Sequence, residues 1–136
     1  MTLSGSCLCG AVAYQSTDSL AVTAICHCDN CQKWSGGAFT SSAIVPKESF
    51  SVTKGSPKIY KAIGGSGNFN RHYFCDNCGS GLFTKLDIMG GQVVIKAGSL
   101  DDGSTNLGGR IENEFYCKDR VSYLSPLANA KQHERL

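Results

Sequence analysis

Cys26-His27-Cys28-Asp29-Asn30-Cys31 places three thiols within six residues, with a histidine between the first two. Clustered thiols in a reducing environment are metal ligands more often than disulfide partners, and tetrahedral zinc needs ligands arriving from two directions. Two further pairs offer such directions, Cys7-x-Cys9 and Cys75-x-x-Cys78, while Cys117 stands apart. Spacing alone permits two divisions. Cys7 and Cys9 can join Cys28 and Cys31 as in a zinc ribbon, leaving Cys26 with the late pair. Alternatively, Cys7, Cys9, Cys75 and Cys78 complete one four-thiolate site, and Cys26, Cys28 and Cys31 form a separate trio. The second division uses each group whole and is preferred on that economy. It leaves the trio one ligand short, and a position left for water or substrate is what distinguishes catalytic from structural zinc.

The residues around the trio follow from this picture. His27 is crowded between two ligands and is expected to point away from the metal. Lys33 and Ser35 come just after the trio and are candidates to line the same pocket, although a solvated lysine is the commoner outcome. Trp34, the only tryptophan, either covers the site or packs in the core. Gly64–Arg71 is a glycine-rich loop with a basic end, suited to close backbone approach to a substrate; a hairpin turn is its simpler meaning. It matches neither a P-loop nor a dinucleotide fingerprint. Asp101 and Asp102 read as turn residues.

These groups must be held by strands. Short β-like runs span 11–16, 21–26, 38–45, 50–55, 58–63, 70–74, 81–86, 92–97 and 111–116, several ending at glycine-rich turns, with Val12 and Tyr14 on one face of the first. Only 29–35 suggests a helical turn, with Asp29 a candidate cap. A second short helical piece is weakly suggested in the tail from Ser125. The pattern predicts a mainly β fold of antiparallel sheets with little helix, as a single domain over residues 1–136. Sixteen glycines make folding entropically costly, and metal clips between distant strands offset part of that cost.

Bulk properties narrow the function. A net charge of +2 with scattered basic residues argues against nucleic acid or an anionic membrane as the main partner. No run approaches the about 20 apolar residues of a membrane span. The first ten residues lack the basic start and apolar stretch of a secretory signal, so the expectation is a soluble, cytoplasmic protein whose thiols are not paired.

The sequence resembles the family of glutathione-dependent formaldehyde-activating enzymes, which also includes centromere protein V. The similarity runs through Gly5–Tyr14, Cys26–Phe39, Gly65–Phe83, Ile95–Asp102 and the segment from Cys117, and so covers nearly the whole chain. The resemblance implies an Mss4-like, zinc-stapled β fold. It implies a structural zinc on Cys7, Cys9, Cys75 and Cys78 and a second, catalytic zinc on Cys26, Cys28 and Cys31, two zinc ions per chain. It implies reversible addition of glutathione to formaldehyde, giving S-hydroxymethylglutathione or a related thiol adduct, a carbon–sulfur lyase chemistry. Three thiolates make a negative site and weaken its Lewis acidity, so delivery of a substrate thiolate is favoured over activation of the carbonyl. Two departures stand out: Tyr123 occupies a place where many members have tryptophan, and no family motif explains Cys117. The alternatives are a zinc-stabilised binding module, or a thiol redox sensor in which Cys117 resolves the oxidised trio.

Overall fold

The computed structural model describes residues 2–17 and 21–136. Among them, strands β1 (Leu3–Ser6), β2 (Ala13–Ser16) and β5 (Phe50–Lys54) form a small sheet in the order β1-β2-β5. A second sheet has the order β11-β10-β3-β4-β9-β8-β7-β6. Its strands are β3 (Val22–Cys26), β4 (Thr40–Pro46), β6 (Lys58–Ile63), β7 (Phe69–Phe74), β8 (Gly81–Leu86), β9 (Gln92–Lys96), β10 (Asn113–Phe115) and β11 (Lys131–Gln132). One α-helix, α1 (Asp29–Ser35), and several short 3-10 turns complete the chain. The mainly β class with antiparallel pairing is as expected for an Mss4-like architecture.

Strand alternation decides what each face carries. On one face of the large sheet, Ala43, Val45, Val93, Ile95 and Phe83 pack against Val12 and Tyr14 of the small sheet side, forming the main core. Val12 and Tyr14 therefore share a buried face, as their spacing predicts. On the opposite face lie Ala24, Ile44 and Val94, with Leu86, Met89 and Phe115 beside them. The same face carries Cys26, which pairs with Thr40 across β3 and β4, then Ser42 opposite Lys96, and His72 opposite Thr84. β4 and β9 are buried on both sides for this reason, one side by core and the other by the walls of a cleft.

Four details differ from the sequence expectation. β1 was not anticipated, because its serines and glycine carry no alternation; it is held by pairing with β2. The sheet is mixed at one end, since β10 runs parallel to both β3 and β11. The tail forms no helix: Lys131 and His133 donate backbone hydrogen bonds to Glu112 and Glu114 instead, which lays the segment beside β10. The cap of α1 is Cys28, whose sulfur accepts from the Cys31 amide, and Asp29 sits in the first turn.

Candidate metal centres and the cleft

Cys26 ends β3, Cys28 caps α1 and Cys31 lies in the first turn of that helix. A strand running straight into a helix thus brings three sulfurs together, all within 4.8 Å of one another. Cys31 is buried, and Cys26 and Cys28 are half-buried. Hydrogen bonds from Cys26 first, then Cys28, hold the Cys31 thiol down to about 2, whereas contacts with Cys28 and Cys31, then burial, push Cys26 far up. Thiols so close together hold their protons unequally, and those protons leave when a divalent cation takes their place. The donor set fits a thiolate-bound zinc.

Between the ligands the chain alternates faces. His27 turns to the far side of the sheet, 1% exposed, and its Nε2 lies 2.9 Å from Glu114 Oε1. Its amide donates to the Phe115 carbonyl, and its own carbonyl accepts from Gln32 Nε2. His27 points away from the trio, as crowding predicts, and anchors the loop from behind.

Four of the other five cysteines, Cys7, Cys9, Cys75 and Cys78, gather from two turns distant in sequence, again with all four sulfurs within 4.8 Å. Cys7 and Cys9 are 3.6 Å apart, and Cys9 and Cys75 are 3.8 Å apart. Each turn closes on a glycine in the left-handed region, Gly10 and Gly79, both at φ 78°, where a side chain would be strained. Those glycine amides donate to the carbonyls of Cys7 and Cys75. The Val12 amide donates to Cys7 Sγ, the sulfur–amide contact that favours a thiolate. This is the grouping preferred on economy: two whole pairs in one cluster, and the trio by itself.

The two clusters differ in their surroundings. None of the four lines the cleft, while Cys26, Cys28 and Cys31 all do. Ile44, Val94, Leu86 and Phe115 give the cleft an apolar wall, and Lys96 is its one cation among the described residues. Gly65 and Ser66 line it from the β6–β7 connection, and Asn70 lines it from the start of β7. The glycine-rich loop is therefore both a hairpin turn and a rim of the cleft.

Besides Lys96, two residues in the cleft escaped the sequence reading. His72, 3% exposed, lies 3.0 Å from Thr84 Oγ1 through Nδ1 and stacks on Trp34, ring centroids 4.6 Å apart. Burial, then Lys96, lowers it to about 4, so its imidazole is neutral at pH 7. Tyr116 projects into the same space, and burial followed by the charges of Cys28 and Cys26 raises its phenol, which keeps its proton. Neither has a local signature: one is an inward residue of an ordinary strand, the other a tyrosine before Cys117.

Other candidates fall elsewhere. Lys33 lines a shallow groove with Trp34 and Tyr60 outside the cleft, because α1 carries it away from the sulfurs. Ser35 is spent on its own turn, donating to the Phe39 carbonyl and accepting from the Gly37 amide. Trp34 does not line the cleft; it backs His72 and meets Phe74 edge-on. Cys117 donates to the Glu114 carbonyl and to Gln132 Oε1 and does not join the trio's sulfur cluster. Asp101 accepts from Ser6, and Asp102 sits in a left-handed turn, as turn residues do.

No helix among the described residues is long and apolar enough to cross a membrane. A family model described as "Glutathione-dependent formaldehyde-activating enzyme" matches residues 2–119. A Podospora anserina protein, provisionally named as a glutathione-dependent formaldehyde-activating enzyme, is 30% identical over 83 residues. That match covers 60% of this chain and 38% of the relative, so the chain spans well under half of that protein. The crystal structure of a Rhodobacter sphaeroides protein superposes with a TM-score of 0.62 at 20% identity, covering 79% of this chain and 96% of that one. It supports the fold. With a family match over nearly all of its length and the cysteine groups in place, the chain belongs to the glutathione-dependent formaldehyde-activating enzyme family.

Proposed function

We propose that the chain is a zinc-dependent carbon–sulfur lyase acting on a thiol–aldehyde adduct, of which S-hydroxymethylglutathione is the example the family name suggests. In this reading Cys7, Cys9, Cys75 and Cys78 hold a structural zinc, and Cys26, Cys28 and Cys31 hold the functional one. The observation that carries it is the asymmetry of the two clusters: four sulfurs complete a site away from the cleft, and three open onto it. Bound there, zinc supplies a centre that favours the thiolate form of a substrate thiol.

The chain's own residues do the rest. Ile44, Val94 and Phe115 exclude water from one side of the cleft, which strengthens the electrostatics within it. Lys96 balances the negative charge of the sulfurs and faces the same space. His72, neutral and held by Thr84 and Trp34, offers a hydrogen-bonding edge rather than a fixed charge. Asn70 and Ser66 supply polar contacts from the rim. Addition joins the sulfur to the carbonyl carbon, moves the C=O pair onto oxygen and ends with a proton on that oxygen; lysis reverses each change.

Zinc analysis should give two ions per chain for the wild type and one for a folded Cys31→Ser variant. Formaldehyde and glutathione combine without a catalyst, so turnover is read by magnetisation exchange between free and adduct glutathione. The wild type should accelerate that exchange and Cys31→Ser should return it to the uncatalysed rate. A wild type with two zincs and no acceleration would exclude the formaldehyde–glutathione pair as substrate.

A further inference from the structure

Tyr116 carries a backbone conformation that ordinary strand geometry does not explain. Phe115 ends β10, pairs with Cys26, and lines the cleft. In a continuing strand the next side chain would point to the opposite face, beside Glu114. Instead Tyr116 has φ 54° and ψ 47°, in the left-handed region that non-glycine residues avoid. The turn swings its ring back over the cleft, so two successive residues serve one face. The Tyr116 carbonyl accepts from the Asp119 amide, and the Cys117 amide donates to His133, which holds the kink from both sides.

Room for the ring is made opposite. A Cβ on Gly65 would lie 2.7 Å from the Tyr116 hydroxyl oxygen and 3.0 Å from its Cε1. The glycine at the rim is thus where the phenol fits. Tyr116 is 8% exposed as a whole; its hydroxyl makes no hydrogen bond to another described residue and is not among the fully enclosed polar atoms, so it keeps access to solvent. A kinked backbone, a matching glycine and an unused donor at the mouth of a three-sulfur site are strain of the kind kept at functional positions.

We propose that the Tyr116 hydroxyl is a catalytic hydrogen-bond donor to the aldehyde-derived oxygen of the adduct, an assignment that rests on the function proposed above. As the sulfur pair forms the C–S bond, the C=O π pair moves to oxygen, and the developing alkoxide accepts from the Tyr116 O–H. Solvent then protonates that oxygen and the tyrosine is unchanged. On lysis the same contact steadies the alkoxide whose electrons reform the carbonyl as the thiolate leaves. A donor fixed before charge develops stabilises the transition state more than the ground state.

The test compares wild type, Tyr116→Phe and Gly65→Ala, with zinc content and circular dichroism establishing that each is loaded and folded. Loss of the hydroxyl should lower kcat for glutathione–formaldehyde exchange by about 10²-fold, with KM changed by no more than about twofold. Gly65→Ala, which displaces the hydroxyl without removing it, should lower kcat in the same direction. Binding is read separately by NMR titration with S-methylglutathione, which lacks the oxygen, and with S-hydroxymethylglutathione kept in excess formaldehyde. The wild type should prefer the hydroxymethyl adduct and Tyr116→Phe should bind the two equally. A Tyr116→Phe variant with wild-type kcat and wild-type preference overturns the assignment. If the wild type fails to accelerate exchange, the formaldehyde function is lost and the binding comparison alone decides. A wild-type preference that vanishes in Tyr116→Phe then sustains the donor role, and the absence of any preference overturns it.

Discussion

Replacing Cys75 by serine should leave a chain that no longer folds cooperatively, and a strong chelator should do the same to the wild type. Cys75 is buried in the cluster that joins the turn after β1 to the turn between β7 and β8. The link from Cys9 to Cys75 spans 66 positions and ties the small sheet to the far part of the large one. A structural zinc contributes on the order of 10–16 kcal/mol to folding in small zinc peptides, comparable with the about 5–15 kcal/mol that separates a whole domain from its unfolded state. Serine cannot replace the thiolate, and the remaining three sulfurs are left crowded around a lost partner. Cys31→Ser should behave differently. Its trio closes only the short stretch from Cys26 to Cys31, so little chain entropy is at stake. Thermal denaturation followed by circular dichroism, with zinc measured on the same samples, separates the two. If Cys75→Ser retained a cooperative transition within a few degrees of the wild type, the structural role proposed for this cluster would be wrong.

The parts of this molecule legible from sequence are those in which chemistry and spacing coincide. Cysteine pairs closing on glycine announce their turns, and the alternation of Val12 and Tyr14 gives their common face directly. The division of the cysteines into four and three followed from using each group whole, and the sulfurs gather in that way. What escaped depends on pairings far apart in the chain. β10 lies parallel to β3, with Asn113 opposite Ala24 and Phe115 opposite Cys26, and nothing local in Asn113–Phe115 indicates that partner. His72 enters the cleft because β7 pairs with β8, and its role depends on which face that register presents. Tyr116 was invisible for a sharper reason. A left-handed non-glycine residue contradicts its own local preference and persists only because neighbours hold it. Lys33 and Ser35 were plausible by adjacency alone, but the axis of a helix that begins at the site carries later residues away from it.

Glu114→Ala should be among the most damaging single changes outside the cysteines. Glu114 is 1% exposed, and both its oxygens are engaged. Oε1 lies 2.9 Å from His27 Nε2 and 3.2 Å from an Arg120 guanidinium nitrogen; Oε2 accepts from the Leu127 amide at 2.7 Å and Gln132 Nε2 at 2.6 Å. Removing the carboxylate leaves an arginine charge, an amide and the buried His27 edge without their partner. Breaking a buried pair in this way costs about 3–5 kcal/mol. Glu114→Gln keeps the volume but turns an amide donor toward groups that also donate, at about 1–3 kcal/mol. Burial raises the carboxyl, but hydrogen bonds from Gln132, His27, Leu127 and Arg120 outweigh it and lower the group from 4.5 to about 2. A depressed carboxylate stabilises the fold fully above its unfolded value, and that contribution is lost as pH falls from 4.5 toward 2. Urea denaturation across this range should therefore show the wild type losing stability faster than Glu114→Gln, the gap between them narrowing as acid is added. The consequence reaches the candidate metal centre, because His27 sits between Cys26 and Cys28 and this carboxylate fixes it from behind. In Glu114→Ala, zinc should be released from the trio at lower chelator concentration than in the wild type, while the four-cysteine site keeps its ion until the chain unfolds. Equal chelator sensitivity of the trio in both proteins would mean that the loop holds its shape without the buried pair, and that the pair serves stability alone.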